Sequence, residues 1–208
     1  MHRLRPGSQS QELLVRSDVI GPFAESFRLI ALTVNSMLDA DASQGRGVAV
    51  ISAYPGDGRS LIAANLAWAL AAHGRVLVFD GDRLGDNPIG EFMGAPADPS
   101  RKLPRGVRAA YTSNGHQDEW LDAGEDAMIR SSTDLAEVVG AASAGGTTCI
   151  VDTPPAVASS EAFELAQKAS HAIYVVRDKV QDMEVHREIH KTLERLDVNL
   201  LGIVQNEY

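Results

Sequence analysis

A chain of 208 residues with 44% hydrophobic content is long enough to bury one full core, and its length is that of a single ordinary domain. Its net charge of −9 argues against a general polyanion-binding surface, so no nucleic-acid partner is expected. The single cysteine, Cys149, excludes an internal disulfide, suits a reducing compartment and is expected in a buried strand.

The first 21 residues are polar, broken by Pro6, Gly7 and Gly21, and are expected to form a flexible lead-in to one domain over residues 22–208. Their basic start, Met1-His2-Arg3-Leu4-Arg5-Pro6, meets Gly7-Ser8-Gln9 rather than an apolar core, so no secretory signal is expected. From Phe23 to Leu38, apolar Phe27, Ile30, Leu32 and Val34 recur with Glu25 and Arg28 between them, which predicts an amphipathic helix. Gly45, Arg46 and Gly47 lead into Val48-Ala49-Val50-Ile51, a short β-branched run that stops at a glycine-rich loop. Leu61 to Ala72 is Ala- and Leu-rich and predicts a helix ended by Gly74. This longest apolar run is interrupted by Asn65 and falls short of the ~20 residues needed to cross a bilayer, so the expected location is cytoplasmic.

Val76-Leu77-Val78-Phe79 predicts a second buried strand, closing on Asp80-Gly81-Asp82. Residues 83–146 are less regular, with a strand over Val107–Thr112 and a helix over Ser132–Ala142 expected among turns and charges. Thr147-Thr148-Cys149-Ile150-Val151 predicts a third strand ending at Asp152-Thr153-Pro154-Pro155, followed by a helix over Ser159–Ala169. Ala172–Val176 and Leu200–Val204, separated by a helix over Asp182–Leu196, complete the strand set. This alternation predicts an α/β fold with a mostly parallel central sheet and helices on both faces.

The loop after the first strand carries the phosphate chemistry. Ala53-Tyr54-Pro55-Gly56-Asp57-Gly58-Arg59-Ser60 follows the pattern G-x-x-x-x-G-K-[ST], with Ala53 for the first glycine and Arg59 for the lysine. In such a loop, glycines let backbone N–H groups turn inward onto phosphate oxygens, the helix start adds its dipole, and a hydroxyl reaches magnesium. Gly56, Gly58 and Ser60 suit these tasks, although a ligand-free strand-to-helix turn has the same composition. Two acidic strand ends weigh against that plainer reading, because open α/β sheets bind ligands at the carboxyl edge of their strands. Asp152 has the form of a Walker B aspartate, and Asp80 with Asp82 forms a second acidic pair; a capping or turn role is the alternative for each.

With Pro55-Gly56-Asp57-Gly58-Arg59-Ser60, Asp80-Gly81-Asp82 and Asp152-Thr153-Pro154-Pro155, the chain resembles the cytoplasmic domain of the bacterial tyrosine kinases of polysaccharide export. These belong with the Min/Par-like P-loop ATPases. Ala24-Glu25-Ser26-Phe27-Arg28 resembles the family's oligomerisation helix, and Leu201-Gly202-Ile203-Val204-Gln205-Asn206 its closing strand. The resemblance implies ATP or ADP and Mg2+ as cofactors, with Pro55, Gly56, Asp57, Gly58, Arg59, Ser60 and Leu61 around the phosphates and Asn206 beside the adenine. Ser60, Asp82 and Asp152 would hold the metal. Asp80, Asp82 and Arg59 would form the catalytic set, Asp80 activating a tyrosine hydroxyl or ordering the magnesium shell. A transmembrane polysaccharide co-polymerase or adaptor is the implied partner, which would bring the protein to the inner face of the cell membrane. Self-association through the Glu25–Arg28 helix is implied as well.

Four positions depart from the family pattern. Arg59 stands where lysine is usual, and its planar guanidinium is bulkier and differently directed than an ammonium. Ala31 replaces the second arginine of Glu-x-x-Arg-x-x-Arg, and Leu84 stands where an arginine is usual, with Arg83 one place early. The chain closes on Glu207-Tyr208 where a tyrosine cluster is common. A misplaced cation can spare binding while costing ~2–4 kcal/mol of barrier. Three functions therefore stay open: an ATP-binding tyrosine autokinase regulating exopolysaccharide assembly, a catalytically degenerate interaction protein, and a positioning ATPase. The last lacks its characteristic extra lysine between Ala53 and Gly58.

Other features have plainer readings. His186 and His190, four apart on a predicted helix, could share a metal, but no third ligand is evident and a solvated face is the simpler account. Arg101, Lys102, Arg105 and Arg108 form a basic cluster expected to be a solvated loop. Trp68 and Trp120 are expected in packing roles.

Overall fold

The computed structural model describes residues 21–82, 88–94, 103–113, 120–123, 126, 129–130, 132–177 and 182–207. Helix α1 (Pro22–Ala40) opens on proline, whose fixed φ and missing N–H cost nothing in a first turn. Strand β1 (Gly47–Ser52) takes up the β-branched run, and helix α2 (Arg59–Leu70) follows the glycine-rich loop. Gly58, left-handed at φ 93°, is the N-cap of α2, so the helix starts two residues ahead of the apolar pattern. The chain continues through β2 (Val76–Asp80), α3 (Pro88–Met93), β3 (Ala109–Ser113) and β4 (Trp120–Asp122). It then runs through α4 (Leu135–Ala144), β5 (Thr148–Asp152), α5 (Glu161–Ala169), β6 (Ser170–Arg177), α6 (Met183–Arg195) and β7 (Asn199–Asn206).

The strands lie side by side in the order β4-β3-β2-β5-β1-β6-β7. β2, β5, β1, β6 and β7 are parallel, whereas β3 pairs antiparallel with β2 and β4 antiparallel with β3. Alternation along each strand divides the core in two. Val48, Val50, Val76, Val78, Ile150, Ile173 and Val175 face α1 and α2, while Ala49, Ile51, Leu77, Phe79, Cys149, Val151 and Ala172 face α4 and α5. Helix α2 is buried along its length apart from Leu61, because Ala63, Ala64, Ala67 and Ala69 let it fit beneath α1 and against the sheet. Trp68 and Trp120 pack ring against ring at 5.7 Å, the role expected of them. Burial pushes the Cys149 thiol up to about 12, which makes it an inert core residue.

The mostly parallel sheet with helices on both faces is the fold expected from the alternation of elements. The short α3 and β4 lie in the less regular stretch 83–146, and the strand expected over Val107–Thr112 sits two residues later at its start. Asp134 explains the late start of α4, since its side chain accepts the Ala136 N–H and caps the helix there. The lead-in 1–20, Arg83, Leu84, Arg101, Lys102 and Tyr208 lie outside the described residues. No helix of the described residues is long and apolar enough to cross a membrane.

Strand order positions the site. β1 connects through α2 to β2, which lies beyond β5, whereas the later connection from β5 to β6 passes over β1 itself. The order thus reverses around β1, and at such a reversal open α/β sheets take their ligands at the carboxyl ends of the strands, here β1 and β5. Phe79, fully buried beside this edge, should cost about 3–5 kcal/mol when changed to alanine. Ile203→Ala on the 62%-exposed edge position should stay within about 0.5 kcal/mol, and urea denaturation of both variants checks the contrast.

Candidate functional site

The loop between β1 and α2 turns on two left-handed glycines, Gly56 at φ 81° and Gly58 at φ 93°. Pro55 and Gly56 form its exposed lip, while Asp57, Arg59 and Ser60 are buried. Leu61 is half-buried and packs onto the core beneath α1. Two side-chain contacts close the loop. The Tyr54 N–H donates to Asp57 Oδ2 at 2.8 Å, and Asn206 Nδ2 donates to the Asp57 carbonyl at 2.9 Å. Asn206, at the end of β7, therefore touches the phosphate loop itself. It lies so close to Gly58 that a Cβ there would come within 2.1 Å of Asn206 Nδ2.

Two acidic strand ends face this loop. β2 and β5 are in register with Asp80 opposite Asp152, and the Gly81 N–H donates to the Asp152 carbonyl at 2.8 Å. Gly81 must be glycine, since a Cβ would meet Leu165 Cδ1 at 2.4 Å and the Asp152 carbonyl at 2.8 Å. Three carboxylates, those of Asp80, Asp82 and Asp152, are thereby brought to one buried edge.

Their partners differ. Asp80 Oδ2 accepts Arg108 Nε at 3.2 Å and Nη2 at 2.8 Å, and its Oδ1 accepts the Asp82 N–H at 3.1 Å. Burial pushes the Asp80 carboxyl above the usual range, and Arg108 and the Asp82 amide pull it back. Asp82 pairs with Arg59 at 3.3 Å. Among the described residues, neither oxygen of Asp152 has a hydrogen-bond partner, although the residue is 1% exposed. Burial pushes Asp152 up to about 7; the nearby Ser60 hydroxyl, which does not reach it with hydrogen-bond geometry, and the Arg59 charge offset part of that rise.

Arg59, at the lysine position, is turned under the loop rather than into it. Nε donates to the Thr153 carbonyl at 2.9 Å, Nη1 to Ser52 Oγ at 2.7 Å and to the Tyr54 carbonyl at 3.0 Å, and Nη2 to Asp82. Four bonds draw on all three nitrogens of a group with five N–H donors, so its charge is committed to the protein.

Magnesium usually takes few protein ligands, with substrate phosphates and water supplying the rest. Among the described residues no three His, Cys, Asp or Glu side chains converge as a metal-binding group. The residues fit that frugal mode, since an orphaned buried carboxylate stands beside a hydroxyl and a second carboxylate on the same edge. The same test removes the paired-histidine reading of α6. His186 Nδ1 shares a hydrogen bond with the Tyr174 hydroxyl at 2.6 Å and its ring lies edge-on to Tyr54, while His190 sits 3.5 Å from Glu194 on the outer face.

Arg108 is the site residue missed in the sequence. The basic cluster containing it was expected to be solvated, yet its backbone N–H donates to the Asp80 carbonyl at 2.6 Å and its side chain reaches the carboxylate. The signal lay in register rather than composition, because Ala109 pairs with Asp80 across β2 and β3. Ser52 and Thr153 hold Arg59, a role that nothing in their sequence context signals.

Sheet order, phosphate loop and strand-end aspartates together define a P-loop NTPase fold. The resemblance to bacterial tyrosine kinases is supported by the chain's similarities, although no family model matches it. The succinoglycan biosynthesis transport protein ExoP of Rhizobium meliloti is 48% identical over 61 residues, 29% of this chain and 8% of that protein. The tyrosine-protein kinase YwqD of Bacillus subtilis is 28% identical over 173 residues, covering 78% of this chain and 73% of that one. In fold, the kinase domain of the Escherichia coli tyrosine kinase ETK superposes with a TM-score of 0.68 at 17% identity, covering 99% of this chain and 84% of that domain.

Burial of Asp152 has a consequence for stability. Its folded pKa lies above the unfolded value, so the folded state loses stability as pH rises from about 4 through 7. Metal-free protein should therefore lose roughly 2–3 kcal/mol between pH 5 and pH 8 from this group. Asp152→Asn should lose most of that slope in urea denaturation with chelator present.

Proposed function

We propose that this chain is an ATP-binding domain of the bacterial tyrosine-kinase type that regulates exopolysaccharide or capsule assembly. The observation that carries the reading is the buried, unpartnered Asp152 carboxylate beside Ser60 at the mouth of a loop with left-handed glycines at 56 and 58. A carboxylate that costly to bury is best explained by a cation it meets when the site is filled. Ser60 and Asp82 would hold magnesium and Asp152 would act through its water shell, where the ion would neutralise charge on the nucleotide phosphates. The amides from Pro55 to Leu61 would bind phosphate oxygens at the α2 N-terminus. Asn206 would fix the loop's shape from the sheet edge and reach toward the base. Asp80, held by Arg108, would order the magnesium shell or accept the proton of a tyrosine hydroxyl.

The kinase names YwqD and ETK, and succinoglycan biosynthesis for ExoP, support this choice over a positioning ATPase. By the same likeness a transmembrane polysaccharide co-polymerase or adaptor would bring the domain to the inner face of the membrane. Helix α1 would mediate self-association. Glu25 and Arg28 pair at 3.2 Å on its outer side, and Leu29 and Leu32 are exposed there.

A second reading is favoured by one observation. Because Arg59 is spent on Ser52, Tyr54, Thr153 and Asp82, the charge that stabilises phosphoryl transfer is diverted, which suits a regulatory protein with feeble catalysis. Calorimetry should find binding of ATP with magnesium, and Asp152→Asn should weaken it about tenfold. No heat at millimolar nucleotide would remove the nucleotide-binding reading. Phosphotyrosine formed from labelled ATP would remove the regulatory one.

A further inference from the structure

Resting on the nucleotide-binding reading above, we propose that Arg59 and Asp82 are a metal-selecting pair. In the free protein the two are ion-paired, and a nucleotide that brings magnesium supplies a new partner to each when they part.

The two side chains are 6% and 8% exposed and 3.3 Å apart, so their charges are balanced where water screens little. The remaining bonds of Arg59 go to neutral acceptors, the Ser52 hydroxyl and the Tyr54 and Thr153 carbonyls. These orient the guanidinium without balancing its charge. Asp82 also sits among like charges, with Asp80 two residues before it and Asp152 across the strand from Asp80. A bare polyphosphate reaching this edge pulls Arg59 toward itself. Asp82 then loses its guanidinium while facing three or more new negative charges, the situation in which breaking a buried pair is most costly. A magnesium-bound nucleotide does the reverse, since the cation takes over Asp82 as the phosphates take over Arg59. One ion pair is exchanged for two. Lysine, a point charge on a flexible stem, need not be bound to Ser52, Tyr54 and Thr153 at once, so the coupling belongs to arginine at this position.

The test compares ATP affinity with magnesium and with EDTA, by calorimetry, in the parent and in Asp82→Asn. Affinity in EDTA should rise about tenfold in the variant while affinity with magnesium falls about tenfold. A residue that merely supports the loop would move both in one direction, and that outcome overturns the proposal. The cycle of Arg59→Met, Asp82→Asn and the double variant in urea denaturation reads the pair without any nucleotide, and it should be strongly non-additive. Additive effects in a parent that binds nucleotide overturn this proposal alone. A parent that binds no nucleotide under either condition overturns the functional reading and this inference with it. Should Asp82→Asn fail to fold, the double variant, which removes both charges, carries the comparison, and its affinities with and without magnesium should converge.

Discussion

Charge buried at the carboxyl ends of β2 and β5 is the constraint that organises this protein. Asp80, Asp82 and Asp152 stand almost without exposure on one edge, where an ion without compensation is too costly to keep. Two arginines from distant parts of the chain meet that demand, Arg59 from the start of α2 and Arg108 from the approach to β3. Both are fixed by more than their carboxylate: Arg108 by its own backbone N–H on the Asp80 carbonyl, and Arg59 by three neutral acceptors. Asp152 alone is left without a hydrogen-bond partner among the described residues. Among the described residues the edge thus keeps one buried carboxylate without a hydrogen-bond partner, which suits a site with a charged visitor.

The rest of the fold supplies the geometry for that edge. Parallel strands whose faces alternate into two cores need helices on both sides, and this leaves the strand ends as the place where polar groups gather. Nearly total burial of α2 holds its N-terminus against the sheet, so the loop before it cannot drift from the aspartates. Glycine at 81 lets the backbones of β2 and β5 and the side chain of Leu165 meet closely enough to bring Asp80, Asp82 and Asp152 together.

Most of the parallel layer was legible in the sequence because its strands are largely continuous apolar runs, two of them, β2 and β5, ending in aspartates. Val48 to Ile51, Val76 to Phe79 and Ala172 to Val176 each lie within the strand observed. The antiparallel edge was harder. β4 is three residues long, and nothing in Trp120-Leu121-Asp122 announces a register against β3. At the site, residue identities were readable while side-chain directions were not. Arg59 could be seen to replace a lysine, but its turn toward Ser52 and Thr153 depends on groups about 90 positions apart in one case. Arg108 sat in a basic cluster whose composition is that of a solvated loop, and only strand pairing carries it to Asp80. Asn206 was legible as a site residue, while its hold on the Asp57 carbonyl is a tertiary fact.

The contact between Gly58 and Asn206 also binds two positions 148 residues apart into one heritable unit. No side chain can be added at 58 without striking the amide at 206. Substitutions accumulating along the outermost strand are therefore filtered by the loop it overlies. In any lineage carrying this arrangement, the end of β7 should drift more slowly than the exposed positions that precede it.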